Sequence, residues 1–305
     1  RYKAGMSGMI IVLGERNAGK TALCKYFCES NFADEKVYHV FSRDTGSGAE
    51  EFNLALQKAT RIDGDSSEIF NSLVHGSVIV LHDLELWWER SGEHGMETIR
   101  HIKQLVDSFS SKCLFIVNLN PFAYEVLKRV EELDTFSLGT IRCRPFNSFE
   151  LRQLILLRHQ SSGLQYTYGN KSEEDISEIM LARLFNRIFE YSHGNPGMAM
   201  NAWICSMKKF SGKTISMSMP VISDTEVINK LPALWSMICI QLLMHKRMSL
   251  KKLSQVLSQQ EEEIGEQLRA MTRIGIVKAR NMELYGLNPY IEFLLISVFR
   301  KKEWI

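Results

Sequence analysis

Up to Pro145 the chain repeats one pattern, a short apolar run followed by a stretch with helical spacing. The runs are Met9 to Leu13, Val37 to Ser42, Ser77 to Leu81 and Cys113 to Leu119, with Thr140 to Arg144 as a fifth candidate strand. Between them, Thr21 to Glu29, Ala49 to Ala59, Ser66 to Val74 and Met96 to Phe109 place apolar residues on one helical face. A strand that is apolar at every position must be covered on both sides, and helical crossovers do this in a parallel sheet. The pattern therefore predicts an α/β fold.

The longest apolar runs, such as Leu114 to Val117, fall far short of the roughly 18 residues a membrane span requires. No signal-peptide pattern opens the chain. A soluble, cytoplasmic chain is expected. It begins at Arg1 rather than Met, so the reading expects an upstream segment. A membrane contact would come only through that absent segment, with this chain on the cytosolic face. At 305 residues, 45% hydrophobic and 24% charged, the composition excludes disorder as the main state. Cys24, Cys28, Cys113, Cys143, Cys205 and Cys239 lie inside apolar segments without zinc-type spacing, so they read as reduced core residues of a reducing compartment.

Gly14 to Thr21 reads GERNAGKT and satisfies G-x-x-x-x-G-K-[ST], directly after the first strand and at the start of a helix. Glycines let backbone N–H groups close around an anion, and the helix N-terminus adds its positive dipole end. The motif assigns phosphate binding to Gly14, Glu15, Arg16, Asn17, Ala18, Gly19, Lys20 and Thr21, with Ala22 following. Lys20 would reach the β and γ phosphates, and the Thr21 hydroxyl would ligate Mg²⁺. Asp83, directly beyond the third strand, is the expected second Mg²⁺ ligand. Glu85, two residues on, either polarises the attacking water or caps the loop. In the fourth strand, Asn118 and Asn120 fall on one side of an extended chain. Asn120, before Pro121, is the preferred sensor of the γ-phosphate, with bonding to loop backbone as its alternative.

Beyond Pro145 the strand signal fades. Ser148 is expected to cap a helix to Gln160, and two further helices fit Glu173 to Tyr191 and Gly197 to Lys209. Lys213 to Glu226 reads as a linker. Helical patterns over Leu231 to Met244, Leu250 to Leu257 and Glu262 to Arg273 precede a hairpin, Gly275 to Ala279 with Glu283 to Leu287. This is winged-helix order. The expected division is a nucleotide-binding α/β domain to residue 147, a helical lid over 148–223 and a winged helix over 224–305.

Together these residues resemble AAA+ and STAND-type P-loop ATPases, especially the origin-recognition-like branch that ends in a winged helix. GERNAGKT is similar to Walker A, VIVLHDLE to Walker B and FIVNLN to the sensor 1 strand. SHGNPGMA, Ser192 to Ala199, is similar to the Gly-x-Pro segment that starts the last lid helix in STAND proteins and brings Pro196 near the nucleotide base. The resemblance implies binding of ATP or ADP with Mg²⁺, conformational switching and self-association, with Lys20, Glu85 and Asn120 in catalytic positions. Leu84 separates Asp83 from Glu85, and Gly197 and Met198 stand where a sensor 2 arginine is usual. Both departures favour slow hydrolysis. Arg129 is the position most like an arginine finger, with Arg90, Arg142, Arg144 and Arg158 as rivals. Trp87 and Trp88 read as core residues or as packing against a neighbouring subunit.

From His245 to Ile305 there are eleven Lys or Arg against seven Asp or Glu, so this module is basic while the remainder is slightly acidic. Nucleic acid is one partner this permits, through Lys246, Arg247, Lys251, Lys252, Arg300, Lys301 and Lys302. However, the expected recognition helix opens with Glu261, Glu262, Glu263 and Glu266, which phosphates would repel. A protein partner of the winged helix is therefore favoured over DNA.

Overall fold

The structure, a computed structural model, describes residues 8–42, 48–88, 95–169, 171–220, 226–280 and 284–305. The described residues fall into two compact units. The first takes in the residues up to Glu15, Lys20 to Cys143, and the chain from Lys230 onward; the second takes in Arg16 to Gly19 and Arg144 to Asn229.

The first unit is built on a parallel five-stranded sheet of order β2-β3-β4-β1-β5. Its strands are β1 (Met9–Leu13), β2 (Val37–Phe41), β3 (Ser77–His82), β4 (Cys113–Leu119) and β5 (Ser137–Arg142), interleaved with α1 (Lys20–Asn31), α2 (Ala49–Thr60), α3 (Ser66–Ser72), α4 (Glu97–Phe109) and α5 (Pro121–Glu131). Burial on both faces explains the continuous apolar runs. Ile11, Ile79, Leu81, Phe115, Val117 and Leu119 join the core beneath α2 to α5, while Val12, Val78, Val80, Leu114 and Ile116 pack with Cys24 and Cys28 of α1. β5 begins earlier than expected, because this edge strand buries only Leu138 and carries little apolar signal.

The second unit holds α6 (Ser148–Gln160), β6 (Gln165–Tyr168), β7 (Lys171–Ser172), α7 (Glu178–Ser192), α8 (Pro196–Cys205), β8 (Met207–Ser211), β9 (Thr214–Met217) and α9 (Glu226–Asn229). Trp203 anchors it, stacked on Phe185 and edge-on to Tyr166 and His159. The all-helical lid needs correction here. A four-stranded sheet of order β7-β6-β9-β8 accompanies the helices, and part of the expected linker is β9. Exposed strands such as MKKFS offer almost no apolar run to read. Asn147, not Ser148, caps α6: its side chain accepts the Glu150 N–H while Glu150 accepts the Asn147 N–H. Residue 223, the expected lid boundary, lies outside the described residues.

The chain returns to the first unit with α10 (Ala233–His245), β10 (Met248–Ser249), α11 (Leu250–Leu257), α12 (Glu261–Arg273), β11 (Val277–Arg280), β12 (Leu284–Leu287) and α13 (Pro289–Lys301). β10, β12 and β11 form an antiparallel sheet. Sequence reading missed α13, although Asn288 as cap and Pro289 at the first helical position are ordinary start signals. Position 283, expected in the hairpin, lies outside the described residues. The six cysteines carry no disulfide, and only Cys205 is exposed.

Candidate functional site

The GERNAGKT turn leaves the carboxyl end of β1 and enters α1 at Lys20. Gly14, buried, donates its N–H to Leu119 O at 3.4 Å, tying the turn to the end of β4. Lys20 is 7% exposed, and its Nζ donates to the carbonyls of Gly14 (2.7 Å) and Glu15 (3.1 Å). Thr21 is half-buried in the first turn of α1 and Ala22 is exposed. In the second unit, Asn17 has φ +63° and Gly19 φ +91°, with open space where a Gly19 Cβ would stand. Left-handed residues of this kind turn consecutive N–H groups toward one side, the geometry that receives an anion.

Within that second unit the turn is held by the start of α8. Asn195 caps the helix by accepting the Met198 N–H, while its Nδ2 donates to Arg16 O at 2.8 Å. The Gly197 N–H donates to Asn17 O at 3.1 Å, and a Cβ on Gly197 would lie 2.5 Å from the Asn17 Cβ. Gly197 thus stands where backbone meets backbone, beside Pro196 at the first position of α8. Sequence reading noted this glycine only as a missing arginine.

At the end of β3 the chain turns through Asp83, φ +53°, into a short 3-10 turn, Leu84–Leu86. Its N–H donates to Asn118 Oδ1 at 3.0 Å. Lys246 Nζ sits 2.6 Å from Asp83 Oδ2. Burial pushes the Asp83 carboxyl upward, but the Lys246 ammonium with its hydrogen bond, Lys20 and His82 hold it below its ordinary value. Glu85 is 2% exposed and accepts the Asn120 N–H at 3.2 Å; burial drives its carboxyl upward against the opposing pull of Lys20.

The asparagines of β4 are both engaged. Asn118 Nδ2 donates to His82 Nδ1 at 2.6 Å, so His82 carries its proton on Nε2 and donates to His39 Nδ1 at 2.9 Å. Burial and the neighbouring His39 pull His82 down to about 4, so this relay across β2, β3 and β4 is neutral. Asn120 caps α5 by accepting the Ala123 N–H, and its Nδ2 donates to Leu243 O (3.2 Å) and Met244 O (3.0 Å) at the end of α10.

Trp87 and Trp88 are wholly buried within this chain, Trp87 edge-on to Phe52 and Trp88 against the His245 ring at 4.4 Å. Of the two expected roles, core residues or packing against a neighbouring subunit, the structure gives them the first. Among the finger candidates, Arg142 pairs with Glu125 and Arg144 with Glu150, Arg129 and Arg158 are exposed, and position 90 lies outside the described residues.

Of the two expected Mg²⁺ ligands, Thr21 stands half-buried in the first turn of α1, whereas the Asp83 carboxylate is taken by the Lys246 ammonium and does not fit a divalent ion as it stands. Glu85, the candidate for the attacking water, is buried on a backbone N–H. Among the described residues no group of three or more His, Cys, Asp or Glu side chains converges. Lys246, which in sequence reads as one of the cations available to nucleic acid, instead meets Asp83, 163 positions away.

No family model matches the chain. No curated protein matches it either. Solved structures do. The Aeropyrum pernix ORC2 protein, solved as ADPNP–ADP complexes, is 13% identical, with 99% of this chain and 91% of that chain covered at a TM-score of 0.50. The Aeropyrum pernix ORC1 protein in complex with DNA is 11% identical, with 97% and 87% covered at a TM-score of 0.50. The Thermotoga maritima RuvB Holliday junction branch migration motor is 11% identical, with 100% and 90% covered at a TM-score of 0.47. No helix among the described residues is long and apolar enough to cross a membrane. At these identities the likeness speaks for architecture, and with the parallel sheet of order β2-β3-β4-β1-β5 it gives this chain an α/β fold of the P-loop ATPase type, shared with the ORC proteins.

Proposed function

We propose that the chain binds ATP or ADP through Gly14 to Thr21 and acts as a slowly hydrolysing, STAND-type switch whose nucleotide state sets the association of its C-terminal module. The carrying observation is the phosphate turn itself: it follows the interior strand β1, has left-handed residues at Asn17 and Gly19, and enters α1 at the buried Lys20. Its ties to Asn195 and Gly197 support the role assigned to the Asn195-Pro196 segment. Slow turnover is supported by Glu85, which is buried, bonded to backbone and separated from Asp83 by Leu84. We read the C-terminal module, helix, strand, two helices, hairpin and helix, as a winged helix that binds a protein or a second copy of this chain.

DNA is a second reading, favoured by the surplus of Lys and Arg in that module and by the DNA complex of one protein of like fold. Against it, three of those cations face the nucleotide half: Lys246 meets Asp83, Arg247 donates to Ser42 O, and Arg300 meets Glu15. The first turn of α12 is exposed and acidic.

The test is nucleotide titration, with and without Mg²⁺, followed by mass measurement in solution. Lys20→Ala is expected to abolish binding, and Glu85→Gln to retain binding while stopping turnover. Unchanged binding by Lys20→Ala would end the proposal. Equal turnover by Glu85→Gln would return Glu85 to a purely structural part.

A further inference from the structure

Asp83 and Lys246 meet in an unusual way. Asp83 has φ +53° and Lys246 φ +62°, conformations that residues with side chains rarely adopt. At Lys246 the chain makes a γ-turn, with the Arg247 N–H donating to His245 O at 2.6 Å; with positive φ at its centre, this turn is the rare and strained form. Gly286 of β12 makes room for it, since a Cβ there would come within 3.1 Å of Lys246 O. Strain held in two facing residues points to a use for their meeting. The ammonium lies 2.6 Å from Asp83 Oδ2, with only 24% and 19% of the two side chains exposed.

Other contacts bring the same module to the same end of the sheet. Arg300 of α13 pairs with Glu15 at 2.9 Å and lies over the Phe122 ring. Asn120 holds the last carbonyls of α10, one and two residues before His245, and so fixes where Lys246 emerges. The charge that a nucleotide would meet at Asp83 is therefore balanced by a side chain of the chain itself.

Resting on the nucleotide-binding reading above, we propose that this site takes ADP or ATP without a divalent cation, Lys246 supplying the positive charge at Asp83. The phosphates then lie between two ammonium groups, Lys20 from the phosphate turn and Lys246 from the C-terminal module.

The experiment is equilibrium titration of the full chain with ADP in excess EDTA and in excess Mg²⁺. Wild type is expected to bind equally, within about threefold, in both buffers. Lys246→Met, which removes the charge at similar length, is expected to lose about tenfold or more in EDTA, the size of a charge-assisted hydrogen bond, and to regain affinity with Mg²⁺. Lys246→Arg, which keeps the charge, is expected to bind in EDTA. Wild-type binding that requires Mg²⁺ overturns the inference and leaves the nucleotide reading standing. Equal EDTA binding by wild type and Lys246→Met removes Lys246 from the site. Absence of binding in both buffers refutes the nucleotide reading itself. If Lys246→Met does not fold, the wild-type comparison and Lys246→Arg still decide the matter.

Discussion

Asn120 is the residue at which a sensing role and a structural role make opposite demands, and a pair of substitutions measures the structural one. Its Oδ1 accepts the Ala123 N–H as cap of α5, and its Nδ2 donates to the carbonyls of Leu243 and Met244. Those carbonyls belong to the last turn of α10, where helical partners run out. Asn120 is 5% exposed, so solvent does not readily replace the amide. Serine caps a helix about as well as asparagine, so Asn120→Ser keeps the bond to Ala123 and loses only the two bonds to α10. At about 1 kcal/mol for each bond, Asn120→Ser should destabilise the chain by about 2 kcal/mol. Asn120→Ala loses the cap as well, worth about 1 kcal/mol more, for a total of about 3 kcal/mol. Urea unfolding followed by tryptophan fluorescence reads both values, because Trp88 packs on His245 at the same end of α10. If Asn120→Ser lies within about 0.5 kcal/mol of wild type, the size of an ordinary surface substitution, the link from β4 to α10 carries no weight and the argument fails. Equal losses in the two variants would instead refute the cap.

Two further measurements test the buried polar residues and the turn. His82, with its ordinary value of 6.5 brought down to about 4 by burial and His39, binds fewer protons folded than unfolded between those limits. Stability is then full above about pH 6.5 and falls as pH drops toward 4; going from pH 7.5 to 5.5 should cost about 1.3 kcal/mol. Urea midpoints at the two pH values should show a larger loss in wild type than in His82→Gln, which keeps the contributions of the half-buried His39 and His101; an identical pH slope in the variant would remove His82 as a source. Gly197→Ala would place its Cβ 2.5 Å from the Asn17 Cβ and 2.9 Å from Asn17 O, so the phosphate turn must shift. Overpacking of this kind costs about 1–3 kcal/mol, and nucleotide titration should show about tenfold weaker binding. Unchanged affinity would mean that this contact does not shape the site.

The legible features were those carried by neighbouring residues. The strands buried on both faces stood out because Ile11 and Val12, or Val80 and Leu81, point to opposite cores and are both apolar. The position of GERNAGKT between a strand and a helix was legible because the apolar run of β1 and the helical spacing of α1 adjoin it directly in the chain. Asn120 before Pro121 also carries a signal that the expectation of a sensor passed over, an N-cap followed by proline at the first helical position. The strands of the second unit were lost because β6 and β9 pair in parallel across more than a helix of intervening chain, and each offers few apolar residues. Lys246 could not be assigned from local pattern, since a basic residue after a helix reads as solvated until its partner is placed beside it. Gly197 is the same case: its lack of a side chain is informative only once Asn17 is seen to lie where a Cβ would go.

That placement changes what the charge distribution means. The C-terminal module is basic in sequence, which by itself suggests an anionic partner outside the chain. Yet Lys246 and Arg300 are directed at Asp83 and Glu15, the carboxylates flanking the phosphate turn and the end of β3. On the nucleotide reading, phosphates enter a site one of whose two cations, Lys246, is lent by another module, so the number of phosphates acts directly on the contact between that module and the sheet. A partner that draws the module away from Asp83 then removes a cation from the nucleotide. By linkage, the factor by which such a partner weakens ADP binding must equal the factor by which ADP weakens the partner's own binding. Measuring either factor tests whether the two sites share one free energy, and a factor of one would show that they do not.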